Sequence, residues 1–91
     1  MDKKCIIKRR GHEEEFDERK VYASCYAACL NASMKPIQAE KVCEKITKQI
    51  GKEVKSNKCT TSDHIFHRVA ELLEKYDKNA AFMYKMHRDI S

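Results

Sequence analysis

A chain of 91 residues can build one small hydrophobic core, so the sequence predicts a single domain spanning residues 1–91. Charged residues make up 36% of the chain, and no apolar run approaches the roughly 20 residues of a membrane span, which excludes a transmembrane helix. The formal net charge of +5 favours an anionic partner, whether a nucleotide, a nucleic acid or an acidic protein surface.

The N-terminus and the cysteines together indicate a compartment. Residues 1–4 lead into too few apolar residues for a signal peptide, so we expect a cytoplasmic protein. The five cysteines are an odd number at irregular spacings. This usage favours reduced thiols over a disulfide framework.

The first structural signal is a β-hairpin. Apolar residues from Cys5 to Ile7 lead into a polar corner around Gly11, and the chain returns to Phe16. Glycine adopts the positive φ of such a corner at little cost. Alternation along the returning strand places Glu14 and Phe16 on one face, toward the helices.

Asp17 predicts the start of the first helix. Its carboxylate is placed to accept from the backbone N–H groups of residues 19 and 20, and Phe16 can pack onto Val21. The cations of residues 8–10 and Lys20 then lie near a helix N-terminus, which favours an anion site. Cross-strand pairing of these cations with Glu13, Glu14 and Glu15, at about 0.2–1 kcal/mol per pair, is the simpler alternative.

Two helical stripes follow in the chain. From Asp17 to about Leu30 the stripe consists of the small residues Val21, Ser24, Cys25, Ala28 and Cys29. The next helix begins near Pro36, which fits a first turn but not a helix interior, and carries Ala39, Val42, Cys43, Ile46, Ile50 and Val54. Gly51 weakens this helix by about 1 kcal/mol relative to alanine. Because Val54 continues the stripe, we expect the helix to pass through Gly51 and end near Asn57.

The last third of the chain predicts a short strand and two more helices. Residues 58–60 could add a third strand beside the hairpin, and Thr61 or Ser62 caps the helix that follows. That helix carries Ile65, Val69, Leu72, Leu73 and Tyr76. Residues 77–79 break it, and a last helix from about Asn79 to Asp89 presents Ala80, Met83, Tyr84 and His87. The sequence thus predicts an α+β fold, a small four-helix bundle capped by a β-hairpin with a short third strand.

The cysteines allow two interpretations. Cys25 and Cys29 are four residues apart on a helix, a spacing that lets two thiolates bind one metal ion. Further donors of this kind are Cys43, Cys59, His64 and His67. However, there is no Cys-x-x-Cys pair, and both thiols lie on the core stripe, where free cysteine packs as a small hydrophobe. We expect packing residues and no zinc, with metal binding and redox sensing as the alternatives.

The N-terminal residues also follow a family pattern. They read Lys8-Arg9-x-Gly11, then Glu14, then Phe16-Asp17, then Lys20-Val21. Later in the chain Thr60-Thr61-Ser62 precedes Ile65 and Val69, and Tyr84 precedes His87-Arg88. In these residues the chain resembles the ATP-cone, the small nucleotide-binding domain at the N-terminus of ribonucleotide reductases and in a bacterial repressor of their genes. The resemblance covers nearly the whole chain.

The resemblance implies a site for ATP or dATP with Mg²⁺. In it Lys8 and Arg9 would meet phosphates, Glu14 and Asp17 would contact the base, and Lys20 would reach the ribose or a phosphate. The other residues implied are Ile6 and Phe16 around the base, Thr61 or Ser62 beside the sugar and phosphates, and His87 and Arg88 in the last helix.

The predicted function is therefore regulatory. The sequence has no nucleophile and base set, metal quartet or Gly-rich phosphate loop, so we do not expect an enzyme. By resemblance, the bound nucleotide would control association with a second copy or a partner protein, for which His67, Phe82, Met83 and Met86 offer a contact surface. The rivals are a small basic nucleic-acid-binding protein that uses Lys3, Lys4 and residues 8–10 on phosphates, and an interaction module that has lost its ligand.

Overall fold

The structure, a computed structural model, describes the backbone of residues 6–9, 12–57 and 60–90, and the side chains of residues 15–56 and 61–86. Within these residues the elements follow one another in chain order. They are β1 (Ile6–Arg9), β2 (His12–Glu15), α1 (Glu18–Asn31), α2 (Pro36–Asn57), β3 (Thr60–Thr61), α3 (Ser62–Tyr76) and α4 (Lys78–Ile90).

The four helices enclose one apolar core, as predicted. α1 packs against α2 and α4, and α3 packs against the same two helices, so the bundle closes on itself. The largest fully buried side chains are Ile46, Ile50, Leu73, Val69, Cys25, Cys29 and Cys43. In the described part of the chain, no helix combines the length and the apolar composition that crossing a bilayer requires.

The stripe predicted for α2 is confirmed in full. All six of its apolar positions, from Ala39 to Val54, are buried. The helix begins at Pro36, passes through Gly51 and ends at Asn57, as expected. In α1 the predicted stripe is also buried except for Ser24, which is half-buried and donates its hydroxyl to the carbonyl oxygens of Lys20 and Val21 at 3.0 and 3.1 Å.

The stripe predicted for α3 is wrong at its last position. Tyr76 is 48% exposed, whereas Val69, Leu72 and Leu73 are buried. The chain turns at Asp77, so Tyr76 lies in the final turn of α3 and lines an open groove beside α2. An aromatic contact that the pattern did not predict lies elsewhere on α3, where Phe66 stacks on Tyr84 of α4 with ring centroids 5.0 Å apart.

Two short connections join the helices. After α1 the chain closes a Schellman motif, in which Met34 N–H donates to the Cys29 carbonyl and Ser33 N–H to the Leu30 carbonyl, each at 3.0 Å. Ser33 adopts φ 66° there. Between α3 and α4 the linker is the single residue Asp77, because α4 begins at Lys78, one residue earlier than expected.

The three strands form one small sheet, which the structure describes through its backbone pairing. The order is β2-β1-β3, with β2 antiparallel and β3 parallel to β1. In this register Ile6 lies opposite Glu15, and Lys8 lies opposite both Glu13 and Thr61. The expected corner at Gly11 and residues 58 and 59 of the expected third strand lie outside the described residues.

Candidate functional site

Two helices begin at the sheet. β2 leads into α1 through Phe16 and Asp17, and β3 leads directly into α3. Because β2 runs antiparallel and β3 parallel to β1, α1 begins beyond the Ile6 end of β1, whereas α3 begins beside Lys8 toward the other end. Strand spacings of about 4.8 Å place β2 and β3 roughly 10 Å apart. Helix N-termini carry partial positive charge and free N–H groups, so the start of α3, beside Lys8, is suited to an anion.

The cap of α1 agrees in part with prediction. Asp17 has extended backbone, and its Oδ1 atom accepts from the N–H of Arg19 at 2.9 Å. The N–H of Lys20, which we expected at the same carboxylate, donates instead to the backbone carbonyl of Asp17 at 3.1 Å. Asp17 therefore caps the helix through one side-chain bond.

Arg19 is a partner of Asp17 that the sequence analysis missed. Its Nε donates to Oδ1 and its Nη2 to Oδ2, both at 3.2 Å, so the pair is bidentate. These bonds, and then the backbone bond from Arg19, hold the pKa of Asp17 below its usual value. The sequence did contain a signal for this ion pair, because an arginine lies two residues after the aspartate that caps the helix. The carboxylate implied for base recognition is thus ionised and engaged by a neighbour.

The remaining implied residues near α1 have different environments. Phe16 is half-buried and packs against the core. Lys20 is exposed in the first turn of α1. The two residues therefore provide an apolar wall and a cation at the same helix start.

The cap of α3 is Thr61. Its Oγ1 atom accepts from the N–H of His64 at 3.1 Å, so of the two residues predicted for this cap, Thr61 fills the role. Ser62 is the first residue of the helix and is half-buried. Because Lys8 pairs with Thr61, the basic strand runs directly beside the start of α3.

Other implied residues can be placed only by their backbone. Ile6, Lys8 and Arg9 lie on β1, and Glu14 lies on β2 opposite Ile7. His87 and Arg88 lie on α4, which packs against α1 and α3. Their side chains lie outside the described residues.

A second chemical feature lies in the core. The sulfur atoms of Cys25, Cys29 and Cys43 lie within 4.8 Å of one another, and all three side chains are fully buried. Hydrogen bonding to the other two thiols, together with burial, raises the pKa of Cys25. The burial expected for Cys25 and Cys29 is confirmed, whereas His64 and His67 are exposed on α3.

A basic groove lies between α2 and α3. It has a volume of about 360 Å³. Its lining residues are Lys45, Ile46, Gln49, Arg68, Leu72, Lys75 and Tyr76. Arg68 Nε donates to Glu53 at 2.8 Å, which lowers the pKa of Glu53. Lys45 and Lys75 are exposed at this groove, so it is a second place where an anion could bind.

Comparison with known proteins identifies a family. The family described as "ATP cone domain" matches residues 4–90, which is nearly the whole chain. Neither the search of curated proteins nor the search of solved structures gave a match.

Proposed function

The chain belongs to the ATP-cone family, and from this premise we propose that it binds ATP or dATP, with Mg²⁺, where the sheet meets the starts of α1 and α3. Membership implies a nucleotide-binding, regulatory role. We propose further that the nucleotide acts by changing how the domain associates with a second copy or with a partner protein. The observation that carries the site is the pairing of Lys8 with Thr61 beside the N-terminus of α3.

The phosphate end of the proposed site is supported by charge. Lys8 and Arg9 lie on β1, and Lys8 is paired with Thr61, which caps the N-terminus of α3. Phosphate oxygens gain charge-assisted hydrogen bonds from such cations and further stabilisation from helix N–H groups. Ser62 and Thr61 at the start of α3 would then lie beside the phosphates and the sugar, with Lys20 near the ribose or a phosphate and His87 and Arg88 as further cations.

The base end is supported by the start of α1. Phe16, with Ile6, would supply the apolar wall against which adenine packs. Glu14 and Asp17 would accept hydrogen bonds from its amino group. The carboxylate of Asp17 already accepts two side-chain hydrogen bonds from Arg19. The base would therefore share this carboxylate with Arg19, or it would displace the Arg19 side chain.

Isothermal titration calorimetry tests the ligand. The full chain would be titrated with ATP, dATP, GTP, inorganic triphosphate and a short DNA duplex, each at two salt concentrations. We expect ATP or dATP to bind more tightly than GTP or triphosphate. Equal affinity for triphosphate would indicate a generic anion site, and duplex binding that falls steeply with salt would favour the nucleic-acid rival.

Paired substitutions test the location. Lys8→Ala and Arg9→Ala should each weaken ATP binding by about 1–3 kcal/mol, because charge-assisted bonds are lost. The matched control is Lys45→Ala/Lys75→Ala, which removes two cations from the groove between α2 and α3. Normal binding by the strand variants and lost binding by the control would move the site to that groove.

Sedimentation velocity tests the regulatory part. On α4 the side chains of Phe82 and Met86 are 57% and 45% exposed and lie four residues apart, so they share a face. His67 is also exposed, whereas Met83, expected with them, is half-buried. Runs without ligand, with ATP and with dATP should differ, because a ligand shifts an association equilibrium only through differential affinity for the two states. Identical distributions would leave a nucleotide-binding domain without self-association.

A further inference from the structure

Three cysteines from two helices converge in the core. Cys25 and Cys29 lie one turn apart on α1, and Cys43 lies on α2, which packs against it. All three side chains are 0% exposed. Their sulfur atoms lie within 4.8 Å of one another. The fold therefore assembles three soft donor atoms at one point.

The spacing of these sulfurs suits a metal ion better than a disulfide. Metal–thiolate bonds of about 2.3 Å place the sulfurs of a tetrahedral site roughly 3.8 Å apart. Cys29 and Cys43 are already at 3.9 Å. A disulfide would need a separation of about 2.05 Å and would leave the third cysteine unused.

We propose that Cys25, Cys29 and Cys43 bind one thiophilic metal ion, Zn²⁺ or Cu⁺, in the core of the bundle. Soft thiolate donors select these two ions. Each thiol that becomes a ligand releases its proton, so three thiolates with Zn²⁺ carry a net charge of −1 and with Cu⁺ a charge of −2. The smaller buried charge favours Zn²⁺, whereas a set of three donors suits Cu⁺.

The site has a structural consequence for the fold. Because the three sulfurs are completely buried, the ion would enter while the chain folds and not through the finished surface. It would then join α1 to α2 at the middle of the bundle. This role is independent of the nucleotide site proposed at the sheet, so either proposal can fail without the other.

Refolding in the presence of metal tests the proposal. The reduced full-length chain would be refolded with Zn²⁺, with Cu⁺, or with Co²⁺ as a spectroscopic probe for zinc, and then freed of excess metal and analysed for bound ion. We expect about one ion per chain and, with Co²⁺, thiolate charge-transfer absorption. Retention of Zn²⁺ or of Cu⁺ identifies the ion, and the absence of stoichiometric metal in every arm would overturn the proposal.

Two variants locate the ligands. Cys5→Ser/Cys59→Ser removes the cysteines outside the described residues and should bind metal as the native chain does. Cys43→Ala keeps an apolar side chain in the core and should lose both the ion and the rise in melting temperature that the ion gives. If Cys43→Ala, shown by circular dichroism to be folded, still binds one ion, the three cysteines are not the ligands.

Discussion

The carboxylate of Glu18 at the start of α1 lies over Gly51 in α2, so that a Cβ added at Gly51 would come within 2.7 Å of its Oε1 atom. The contacting atom is the end of a flexible, exposed side chain. Glycine inside a helix costs about 1 kcal/mol relative to alanine. We therefore predict that Gly51→Ala raises the free energy of unfolding by about 0.5–1 kcal/mol in urea denaturation. Repeating the change in a Glu18→Ala background removes the contact, and a destabilisation that persists there would contradict the argument.

Ser33 occupies a backbone conformation that glycine adopts more easily. Its φ of 66° is the left-handed conformation at the end of the Schellman motif that follows α1. A Cβ in this conformation costs roughly 1 kcal/mol. Ser33→Gly should therefore stabilise the domain by about 0.5–1 kcal/mol. Ser33→Ala keeps the Cβ and serves as the control, which should show no such gain.

Ionisation of the buried Tyr84 should lower the stability of the fold at high pH. Burial, offset in part by hydrogen bonding with Ser24, raises its pKa to about 12 from a model-compound value of 10.0. A group whose pKa is higher in the folded state contributes stability that is fully present below the unfolded pKa and is lost as the pH rises through the folded pKa. The native chain should thus lose this contribution between about pH 10 and pH 12. Tyr84→Phe should lack this loss, so parallel unfolding curves for the two proteins across that range would contradict the assignment.

Arg19 controls the charge state of Asp17. Its side-chain bonds are the largest cause of the lowered pKa of Asp17, so Arg19→Ala should raise that pKa toward its ordinary value of 3.8. The backbone bond remains in the variant and should keep the pKa somewhat below 3.8. The stability that the lowered pKa of Asp17 contributes is present above the unfolded pKa and is lost as the pH falls through the folded pKa. Because Arg19→Ala brings the two pKa values closer together, the variant should lose less stability over this pH range. Carboxyl NMR titration measures the shift, with Arg68→Ala, whose partner is Glu53, as the control that should leave Asp17 unchanged.

The helices were predictable where their apolar residues repeat over many turns. α2 has six such positions, and each neighbour in the stripe supports the next, so one glycine did not obscure the pattern. Tyr76 fits the same spacing in α3 but lies in its last turn, where the chain reverses and leaves the residue 48% exposed. Phe66 was not among the predicted stripe residues, although its spacing to Val69 and Leu73 is helical; it is half-buried and stacks on Tyr84 of α4. Contacts of this kind depend on how helices meet, which periodicity within one helix does not contain.

In the candidate site, too, local features were predictable from the sequence and contacts between distant residues were not. The caps Asp17 and Thr61 are local signals, since a carboxylate or hydroxyl placed two or three residues before a helical N–H needs no distant partner. The placement of Lys8 beside Thr61 depends on a strand pairing between residues far apart in the chain. Cys43 likewise joins Cys25 and Cys29 only because α1 and α2 pack face to face.

Asp77 is the single residue between α3 and α4, and its hydrogen bonds hold the two helix ends together. Its N–H donates to the Leu73 carbonyl at 2.8 Å, while its Oδ1 atom accepts from the N–H of Asn79 at 2.8 Å. At the opposite end of the pair, Phe66 stacks on Tyr84. Because one residue and one ring stack join the two helices, we expect a tilt of α3 at Ser62 to move α4 with it. A tilt of about 10° would move the Asp77 end of α3, roughly 22 Å from Ser62, by about 4 Å. The displacement would be largest at the turn around Asp77 and smaller along α4 toward Phe82 and Met86, which lie on either side of Tyr84.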